Sequence, residues 1–333
     1  MPTTTNQLPD LRIIYISGRG HSGSTMLDAM LGNADEIESV GELISGMGRY
    51  NASCSCGEKF TRCPFWSETR RAFERIAGTS WDEAVRTTVG QAHISRFLAT
   101  LVVSPSNPWV RRLKSHTLNI ADALERSSGK SVFVDSSKEI TRAAFLLRFV
   151  PGSVVIHLVR HPENVLQSIS YRLRNGTGFK FLRMRITTQR NSAAFLFVVA
   201  AAWSVGNAML EIVRLFGRKR FLRVRYEDVI ASPEKALDRI ENFAGVSLEE
   251  VRTRVAGMQP FDVGHNIGGN YMRKAGSFVL DPSKASREAL PTRYRLMVHL
   301  LGWPLLWRYG YYRPISRGGA NPLRRSKSPQ THV

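Results

Sequence analysis

The segment Leu11–Leu31, LRIIYI-SGRGHSGST-MLDAML, decides the fold. Its first part, Leu11–Ile16, is apolar and β-branched, which predicts a buried strand. A glycine-rich loop follows over residues 17–25, and Ser24–Leu31 has the pattern of a helix. Because glycines allow a tight turn, the amide groups at the start of that helix can face an anion. The order of strand, loop and helix therefore predicts an anion-binding loop.

Three further segments have the same character. Each predicted strand is short, apolar and rich in β-branched residues, and each leads into a helical pattern. The strands are Ser131–Val134, Ser153–Val159 and Phe221–Tyr226, and the helices are Glu139–Val150, Pro162–Arg174 and Pro233–Phe243. Strands that are apolar on both faces and alternate with helices indicate a parallel sheet covered on both sides. The predicted fold class is α/β, a P-loop-like parallel sheet flanked by helices.

Composition limits the class of protein and of partner. A chain of 333 residues predicts one large core with insertions. With 43% hydrophobic and 22% charged residues, the chain is not wholly disordered, collagenous or a multispanning membrane protein. The formal net charge of +20 favours an anionic partner but does not identify one.

The spacing of the predicted elements outlines the domain. We expect one domain over residues 8–316, with a mostly helical insertion at 45–130 over the carboxyl edge of the sheet, as a lid or acceptor-binding element. Residues 317–333 are rich in glycine, proline, serine and positive charge, which predicts a disordered basic tail. Ser192–Leu210 carries no charge and is interpreted as a core helix rather than a transmembrane span. Because no secretory signal is visible, a cytoplasmic location is expected, and contact with a membrane surface stays open.

The first loop differs from a nucleoside-triphosphate loop at one position. In the pattern G-x-x-x-x-G-K-[ST], Gly18, Gly23 and Thr25 match, but Ser24 stands where lysine is required. That lysine reaches the β- and γ-phosphates of a nucleoside triphosphate. The loop therefore suits an anionic ligand without a γ-phosphate.

The altered loop resembles that of a known family. Gly-His-Ser-Gly-Ser-Thr-Met-Leu, from Gly20, is similar to the 5′-phosphosulfate-binding loop of sulfotransferases, which use 3′-phosphoadenosine 5′-phosphosulfate (PAPS). The family usually places lysine or arginine where this chain has His21, so His21 or Arg19 would have to supply the cation. The resemblance, to bacterial-type enzymes with features of tyrosylprotein and carbohydrate sulfotransferases, implies donor contacts from Arg19, Gly20, His21, Ser22, Gly23, Ser24 and Thr25.

Further motifs resemble the rest of the nucleotide site. Arg160 ends a predicted strand and Ser168 follows on the next helix, as in the 3′-phosphate site of the family. Tyr226, in Tyr-Glu-Asp, is similar to a nucleotide-contacting tyrosine. Arg273 and Lys274 lie in a glycine-rich segment that resembles the C-terminal clamp over the 3′-phosphate, although Ala275 interrupts the motif.

The resemblance also implies catalytic residues. Lys138, at the end of the second predicted strand, would stabilise the leaving group, because an ammonium there opposes the charge that develops on the phosphate oxygen. Glu42, in a Gly-Glu segment similar to that of tyrosylprotein sulfotransferases, is the candidate general base. His21 is a weaker candidate for that role. His116, in Lys-Ser-His, imitates a catalytic motif of cytosolic sulfotransferases but follows no convincing strand.

Three cysteines lie close together, at Cys54, Cys56 and Cys63. Three interpretations stay open: reduced structural cysteines, a disulfide, or a metal site. For a metal site, His93 or His116 would have to supply the fourth ligand.

The leading hypothesis is a PAPS-dependent sulfotransferase that acts on a hydroxyl of a carbohydrate, glycolipid, small molecule or tyrosine. No metal is expected to be required, because arginine and lysine would neutralise the developing charge. One alternative is an ATP-dependent kinase or NTPase, with Val132–Asp135 as a Walker-B-like strand. The other is a non-enzymatic polyanion binder. The sequence has no nucleic-acid-binding signature, which argues against this alternative. The sequence does not identify the acceptor or the oligomeric state.

Overall fold

The computed structural model describes residues 11–48, 52–174, 179–181, 184–186, 193–269, 271–281 and 290–312. A five-stranded sheet organises this part of the chain, in the order β2-β3-β1-β4-β7, and every neighbouring pair is parallel. The strands are β1 Ile13–Ser17, β2 Ile37–Gly41, β3 Val132–Lys138, β4 Ser153–Val159 and β7 Phe221–Arg225. The predicted parallel α/β sheet is confirmed, and β2 adds an edge strand that the sequence did not predict.

Helices surround the sheet. They are α1 Ser24–Leu31, α2 Leu43–Met47, α3 Pro64–Ala77, α4 Trp81–Ala92, α5 Phe97–Val102, α6 Pro108–Ser128, α7 Ile140–Phe149, α8 Pro162–Arg174, α9 Ala193–Arg214, α10 Tyr226–Ala231, α11 Pro233–Ala244, α12 Glu249–Ala256 and α13 Thr292–Arg308. Two short antiparallel pairs lie outside the five-stranded sheet: β5 Phe179–Phe181 with β6 Met184–Ile186, and β8 Phe261–Asp262 with β9 Ser277–Phe278.

Both faces of the sheet are buried. Successive residues of a strand point to opposite faces, so Tyr15 belongs to one core and its neighbours Ile14 and Ile16 belong to the other. Tyr15 packs with residues of α3, α4, α6 and α7, whereas Ile14 and Ile16 pack with α1, α10 and α11. This double burial explains why β1 is apolar throughout.

The region at 45–130 is mostly helical, as expected, but its position differs from the prediction. Trp66 on α3, Trp81 on α4 and Leu113 on α6 belong to the core on one face of the sheet. Most of the insertion therefore covers a face of the sheet rather than its carboxyl edge, because its helices bury large aromatic side chains there. Its predicted role as a lid or acceptor-binding element stays a prediction. The predicted tail at 317–333 lies outside the described residues.

The uncharged stretch at Ser192–Leu210 is described from Ala193 onward, where it forms most of α9. Among the described residues, Phe195–Arg214 is the one segment with the length and apolar composition of a membrane span. Leu196, Val199 and Trp203 are buried in a core with α8 and α13, whereas Phe197 is exposed. A packed core helix passes the same test, so the segment is weak evidence for a span.

Candidate active site

The glycine-rich loop crosses the carboxyl edge of the sheet between β1 and α1. Gly23 adopts φ = 92°, and a Cβ atom there would lie 2.3 Å from Cδ2 of Tyr226. A Cβ atom at Gly18 would lie 2.4 Å from the carbonyl oxygen of Leu158. Both positions therefore require glycine, because the loop is packed tightly against β4 and α10.

The loop ends at the N-terminus of α1. The N-cap is Gly23, so no side chain caps the helix at this position. Ser24 and Thr25 begin the helix and are buried. The amide groups and the dipole at a helix N-terminus favour an anion. This arrangement fits the sequence-based expectation of an anion-binding loop.

Two candidate catalytic residues meet beside this helix start. Lys138 ends β3 and Glu42 follows β2, and their side chains form an ion pair through Nζ and Oε1. Lys138 Nζ also donates to Ser24 Oγ at 3.2 Å. Each of the two side chains is 18% exposed, so the pair is largely shielded from water yet open to the cleft beside it.

The backbone around this pair is conformationally unusual. Lys138 has φ = 70°, a left-handed backbone conformation that residues other than glycine rarely adopt. Gly41, directly before Glu42, has φ = 74°. A Cβ atom at Gly41 would lie 2.6 Å from the carbonyl oxygen of Ile267. The turn that presents Glu42 to the cleft thus depends on close backbone packing.

Three hydrogen bonds fix the segment that carries Glu42. Its amide donates to the carbonyl of Ile267 at 2.7 Å. Two residues later, the amide of Ile44 donates to Ser137 Oγ at 2.9 Å. Ser137 Oγ in turn donates to Asp135, whose pKa burial raises to about 6. The candidate base is therefore held by β3 and by a segment more than two hundred positions away in sequence.

A second group joins the loop to β4 and α8. His21, which has φ = 68°, places Nδ1 3.1 Å from Ser168 Oγ, and its carbonyl accepts from Arg160 at 3.1 Å. The guanidinium of Arg160 lies 4.3 Å from the ring centroid of Tyr226. Arg160 and Ser168 are both buried. The structure therefore brings the predicted 3′-phosphate residues together with His21 and Tyr226.

Arg19 projects from the same loop toward α9. A Cβ atom at Gly206 would lie 2.5 Å from Cδ of Arg19, so the arginine stem lies directly on that helix. Burial lowers the pKa of the Arg19 guanidinium, while the charge of Glu139 opposes that change. Arg19 and His21 both line the cleft, and which of them supplies the loop cation stays open.

The cleft itself has a volume of about 630 Å³. Its polar and charged lining residues include Arg19, His21, Glu42, Lys138 and Glu139. Its apolar lining comes from α8 and α9: Val165, Ile169, Phe197, Val198, Val199, Ala201, Ala202, Trp203 and Val205. Among the described residues of the region at 45–130, Ser45 is the one that lines the cleft.

Glu139 is a cleft residue that the sequence analysis missed. Burial raises its pKa, and the nearby negative charge of Glu42 raises it further. Its position directly after Lys138, at the carboxyl end of a parallel strand, was the available signal. A second carboxyl group therefore lies near the candidate base.

A buried polar network behind the site was also missed. Asp28 on α1 is fully buried, and its Oδ2 accepts from Ser136 Oγ and from Asn266 Nδ2, both at 3.2 Å. Asn266 Oδ1 accepts from Ser39 on β2 at 2.7 Å. Burial raises the pKa of Asp28 well above its ordinary value. The network ties α1, β2, β3 and the segment around Asn266 together.

The remaining candidates are placed differently. Arg273 donates to the carbonyls of Ser53 and Asn266, and Lys274 is exposed. Their role as a clamp over the 3′-phosphate stays a prediction. His116 contacts Thr87 Oγ1 through Nδ1 at 2.9 Å and packs on the ring of Phe73, within the core of the insertion. His116 does not line the cleft around Glu42.

A sequence profile described as the sulfotransferase family matches residues 14–250, which include the loop, Glu42, Lys138, Arg160 and Tyr226. The chain belongs to the sulfotransferase family. The match ends before Asn266, Arg273 and Lys274.

Solved sulfotransferases have similar structures at low sequence identity. The sulfotransferase domain from the Synechococcus PCC 7002 olefin synthase is 21% identical, with a TM-score of 0.47 over 90% of this chain and 96% of that one. STF9 from Mycobacterium avium is 14% identical, with a TM-score of 0.46 over 91% and 77% of the two chains. A sulfotransferase from Alicyclobacillus acidocaldarius is 13% identical, with a TM-score of 0.45 over 90% and 94%. A search of curated proteins gave no match.

Proposed function

We propose that this sulfotransferase takes the sulfuryl group from PAPS and transfers it to a hydroxyl group of an acceptor. The observation that carries the proposal is the ion pair of Lys138 and Glu42 beside Ser24. It places a cation and a carboxylate next to the start of α1, where an anionic group is favoured. In-line transfer needs both groups, one at the leaving oxygen and one at the attacking oxygen.

The two ends of the donor match two parts of the site. The loop and the first turn of α1 suit a 5′-phosphosulfate, because amide groups and the dipole there favour negative charge. Arg160 offers a planar guanidinium and Ser168 a hydroxyl, which suit the dianionic 3′-phosphate. His21 contacts both of these residues, so the two phosphate sites are adjacent.

In the proposed step, the acceptor oxygen bonds to sulfur while the bond from sulfur to the bridging phosphate oxygen breaks. The electron pair of the broken bond stays on the phosphate oxygen, where the ammonium of Lys138 stabilises it. The hydroxyl proton passes to the carboxylate of Glu42. The products are a sulfate ester and 3′-phosphoadenosine 5′-phosphate, and the enzyme regains its starting state when Glu42 releases the proton.

The apolar residues that line the cleft indicate the chemical character of the acceptor. Phe197, Val198 and Val205 on α9 line the same cleft as Glu42 and Lys138. Apolar surface is buried favourably when an apolar group covers it. We infer that the acceptor carries its hydroxyl on an apolar body, such as an aromatic ring or a lipid.

A cytoplasmic location stays a prediction.

Two observations disfavour the NTPase alternative. Ser24 occupies the position of the loop lysine that reaches the β- and γ-phosphates. Asp135, the acidic residue of the Walker-B-like strand, accepts hydrogen bonds from the amide and hydroxyl of Ser137 through Oδ1. The net charge of +20 remains the reason to test a polyanion as ligand.

Thermal melts with three ligands test the proposal without knowledge of the acceptor. The ligands are 3′-phosphoadenosine 5′-phosphate, Mg-ATP and an oligonucleotide, compared at one protein concentration and ionic strength. A ligand at a hundred times its dissociation constant stabilises a protein by about 2.7 kcal/mol. We expect a clear increase in melting temperature with the first ligand alone. A larger increase with Mg-ATP would favour a kinase, and one with the oligonucleotide alone would favour a polyanion binder.

A further inference from the structure

The three cysteines converge with a histidine that is distant in sequence. Cys54, Cys56, Cys63 and His265 each place one ligand atom so that all four atoms lie within 4.8 Å of one another. None of the four residues lines the cleft around Glu42. We propose that these residues bind a zinc ion as a structural Cys₃His site.

The distances between the ligand atoms fit tetrahedral zinc. Zn–S bonds of about 2.3 Å and Zn–N bonds of about 2.0–2.1 Å imply S···S separations of about 3.8 Å and S···N separations of about 3.6 Å. The sulfur atoms of Cys56 and Cys63 lie 3.7 Å apart. Nδ1 of His265 lies 3.7 Å from Cys54 Sγ and 3.3 Å from Cys63 Sγ. Small side-chain movements are enough to admit the ion.

The local backbone explains how an unusual spacing can work. Structural zinc sites usually space their cysteines as Cys-x₂₋₄-Cys, whereas Cys54 and Cys56 are separated by one residue. Gly57, with φ = 96°, turns the chain sharply after them. The amide of Cys54 donates to the carbonyl of Glu58 at 2.8 Å, and the amide of Cys63 donates to that of Lys59 at 2.9 Å. This tight loop turns the three thiol groups toward one point.

Residues around His265 hold its ring in place. Phe65 stacks on the imidazole at 5.0 Å between centroids, with an interplanar angle of 7°. Trp66 Nε1 donates to the carbonyl of His265 at 2.8 Å. Outer contacts of this kind orient the ligands of metal sites. Phe65 sets the plane of the ring and Trp66 holds the backbone that carries it, while Nδ1 lies beside the sulfur atoms of Cys54 and Cys63.

A disulfide explains less of this arrangement. A disulfide between Cys56 and Cys63 would not account for the position of the Cys54 thiol beside the imidazole of His265. A zinc ion would use all four groups at once, and its binding would stabilise the fold that keeps them together.

The proposed ion would stabilise the segment that holds Glu42 in position. His265 is followed by Asn266 and then by Ile267. The side chain of Asn266 donates to Asp28, and the carbonyl of Ile267 accepts from the amide of Glu42. Arg273 bonds the carbonyls of Ser53 and Asn266, so it joins the cysteine loop to the same segment. Four protein ligands leave no open position on the metal, so its role is structural and not catalytic.

Metal analysis of the purified full-length chain tests this proposal. The chain is expressed with zinc in the medium, purified under reducing conditions without chelator, and weighed by native mass spectrometry. We expect about one zinc ion per chain, as for a closed four-ligand site. The variants Cys63→Ser and His265→Ala should lose most of the metal. The control variants His93→Ala and His116→Ala, which change the two histidines outside the cluster, should keep it.

Cobalt(II) substitution keeps the test decisive if the ligand variants fail to fold. The wild-type chain, stripped of metal and loaded with cobalt, should show the visible bands of tetrahedral cobalt and a thiolate charge-transfer band. His265→Cys should retain the metal and strengthen that charge-transfer band, because it adds a thiolate. A folded, reduced wild-type chain that binds neither zinc nor cobalt, or one isolated with a Cys56–Cys63 disulfide, would overturn the proposal.

Discussion

Lys138 and Glu42 form an ion pair across two neighbouring strand ends, β3 and β2. Removing two charges from water is costly, and a partly buried pair is weak evidence for stability. Lys138 also adopts a left-handed backbone conformation, which costs about 1–3 kcal/mol. Such costs concentrate at functional sites. The pair is therefore best explained by chemistry that needs both charges at one point.

Replacement of Lys138 by methionine should slow transfer without preventing donor binding. Loss of one charge-stabilising group that acts mainly in the transition state lowers kcat by about 10²–10³-fold. Sulfate release from labelled PAPS, with water as acceptor, measures this effect without knowledge of the natural acceptor. Lys114→Met is the matched control, since it removes a lysine from the Lys-Ser-His motif on α6. An equal loss in the control would move the leaving-group role to that motif.

Replacement of Glu42 by glutamine should slow transfer by about 10²–10⁴-fold, the usual contribution of a general base. The loss should be smaller for an acidic phenol than for an aliphatic alcohol, because an acidic hydroxyl needs less help to lose its proton. Steady-state rates over a series of phenols, with nucleotide binding checked separately, measure this dependence. The variant Glu139→Gln tests the neighbouring carboxyl group. A loss in Glu139→Gln that follows acceptor acidity, with Glu42→Gln unaffected, would reassign the base.

The parts of the fold that could be predicted are those with local signals. β1, β3 and β4 are buried or nearly so and β7 is partly buried, and the apolar runs of all four indicated strands. β2 was missed because Ile37–Gly41 has only Ile37 and Val40 as apolar β-branched residues, contains Glu38 and ends in glycine. β7 is also an edge strand, but Phe221, Leu222 and Val224 give it a clearer apolar pattern.

The same distinction holds for the site. The loop residues and Arg160 were identified because they follow strands directly, and parallel strands bring their carboxyl ends to one edge. His265 was missed because it contacts Cys63 from 202 positions away. Neither of the two histidines that the sequence offered as fourth ligand belongs to this cluster: His93 contacts Ser95, and His116 contacts Thr87. Long-range contacts of this kind leave no pattern in the local sequence.

Replacement of Arg160 by alanine should reduce the thermal shift caused by 3′-phosphoadenosine 5′-phosphate by half or more. Hydrogen bonds to a charged group contribute about 1.5–3 kcal/mol, which corresponds to a loss of about 10- to 100-fold in affinity. Arg160→Lys should retain part of the affinity, because it keeps the charge without the planar fork. Calorimetric titration measures all three proteins, with Arg75→Ala, on the exposed side of α3, as control. Unchanged affinity in Arg160→Ala would place the 3′-phosphate elsewhere.

The pH dependence of stability should report the burial of Asp135. Burial raises its pKa from 3.8 to about 6, so the folded protein holds this proton at pH values where the unfolded chain has lost it. The contribution of Asp135 to the free energy of unfolding is therefore greatest below pH 4 and falls as pH rises to 6, by about 3 kcal/mol at most.

The variant Asp135→Asn isolates this effect, because asparagine keeps an oxygen that can accept from Ser137 but does not titrate. Urea unfolding of the two proteins from pH 4 to 7 should show that the wild type loses stability relative to the variant across this range. Asp35→Asn, at an exposed position, should show no such trend. A stability difference that is constant with pH would mean that Asp135 is ionised throughout in the folded protein.

The tight packing of the loop gives the sharpest comparison, since two of its glycines differ in their surroundings. A methyl group at Gly23 would collide with the ring of Tyr226 in a backbone conformation that alanine disfavours, whereas nothing lies within 4 Å of a Cβ atom at Gly20. Gly23→Ala should therefore destabilise the protein by about 1–3 kcal/mol and weaken nucleotide binding, because the loop or Tyr226 must move. Gly20→Ala, the control, should change the free energy of unfolding by less than about 0.5 kcal/mol. Urea unfolding measures both variants, and equal stability would show that Tyr226 does not pack against the loop at Gly23.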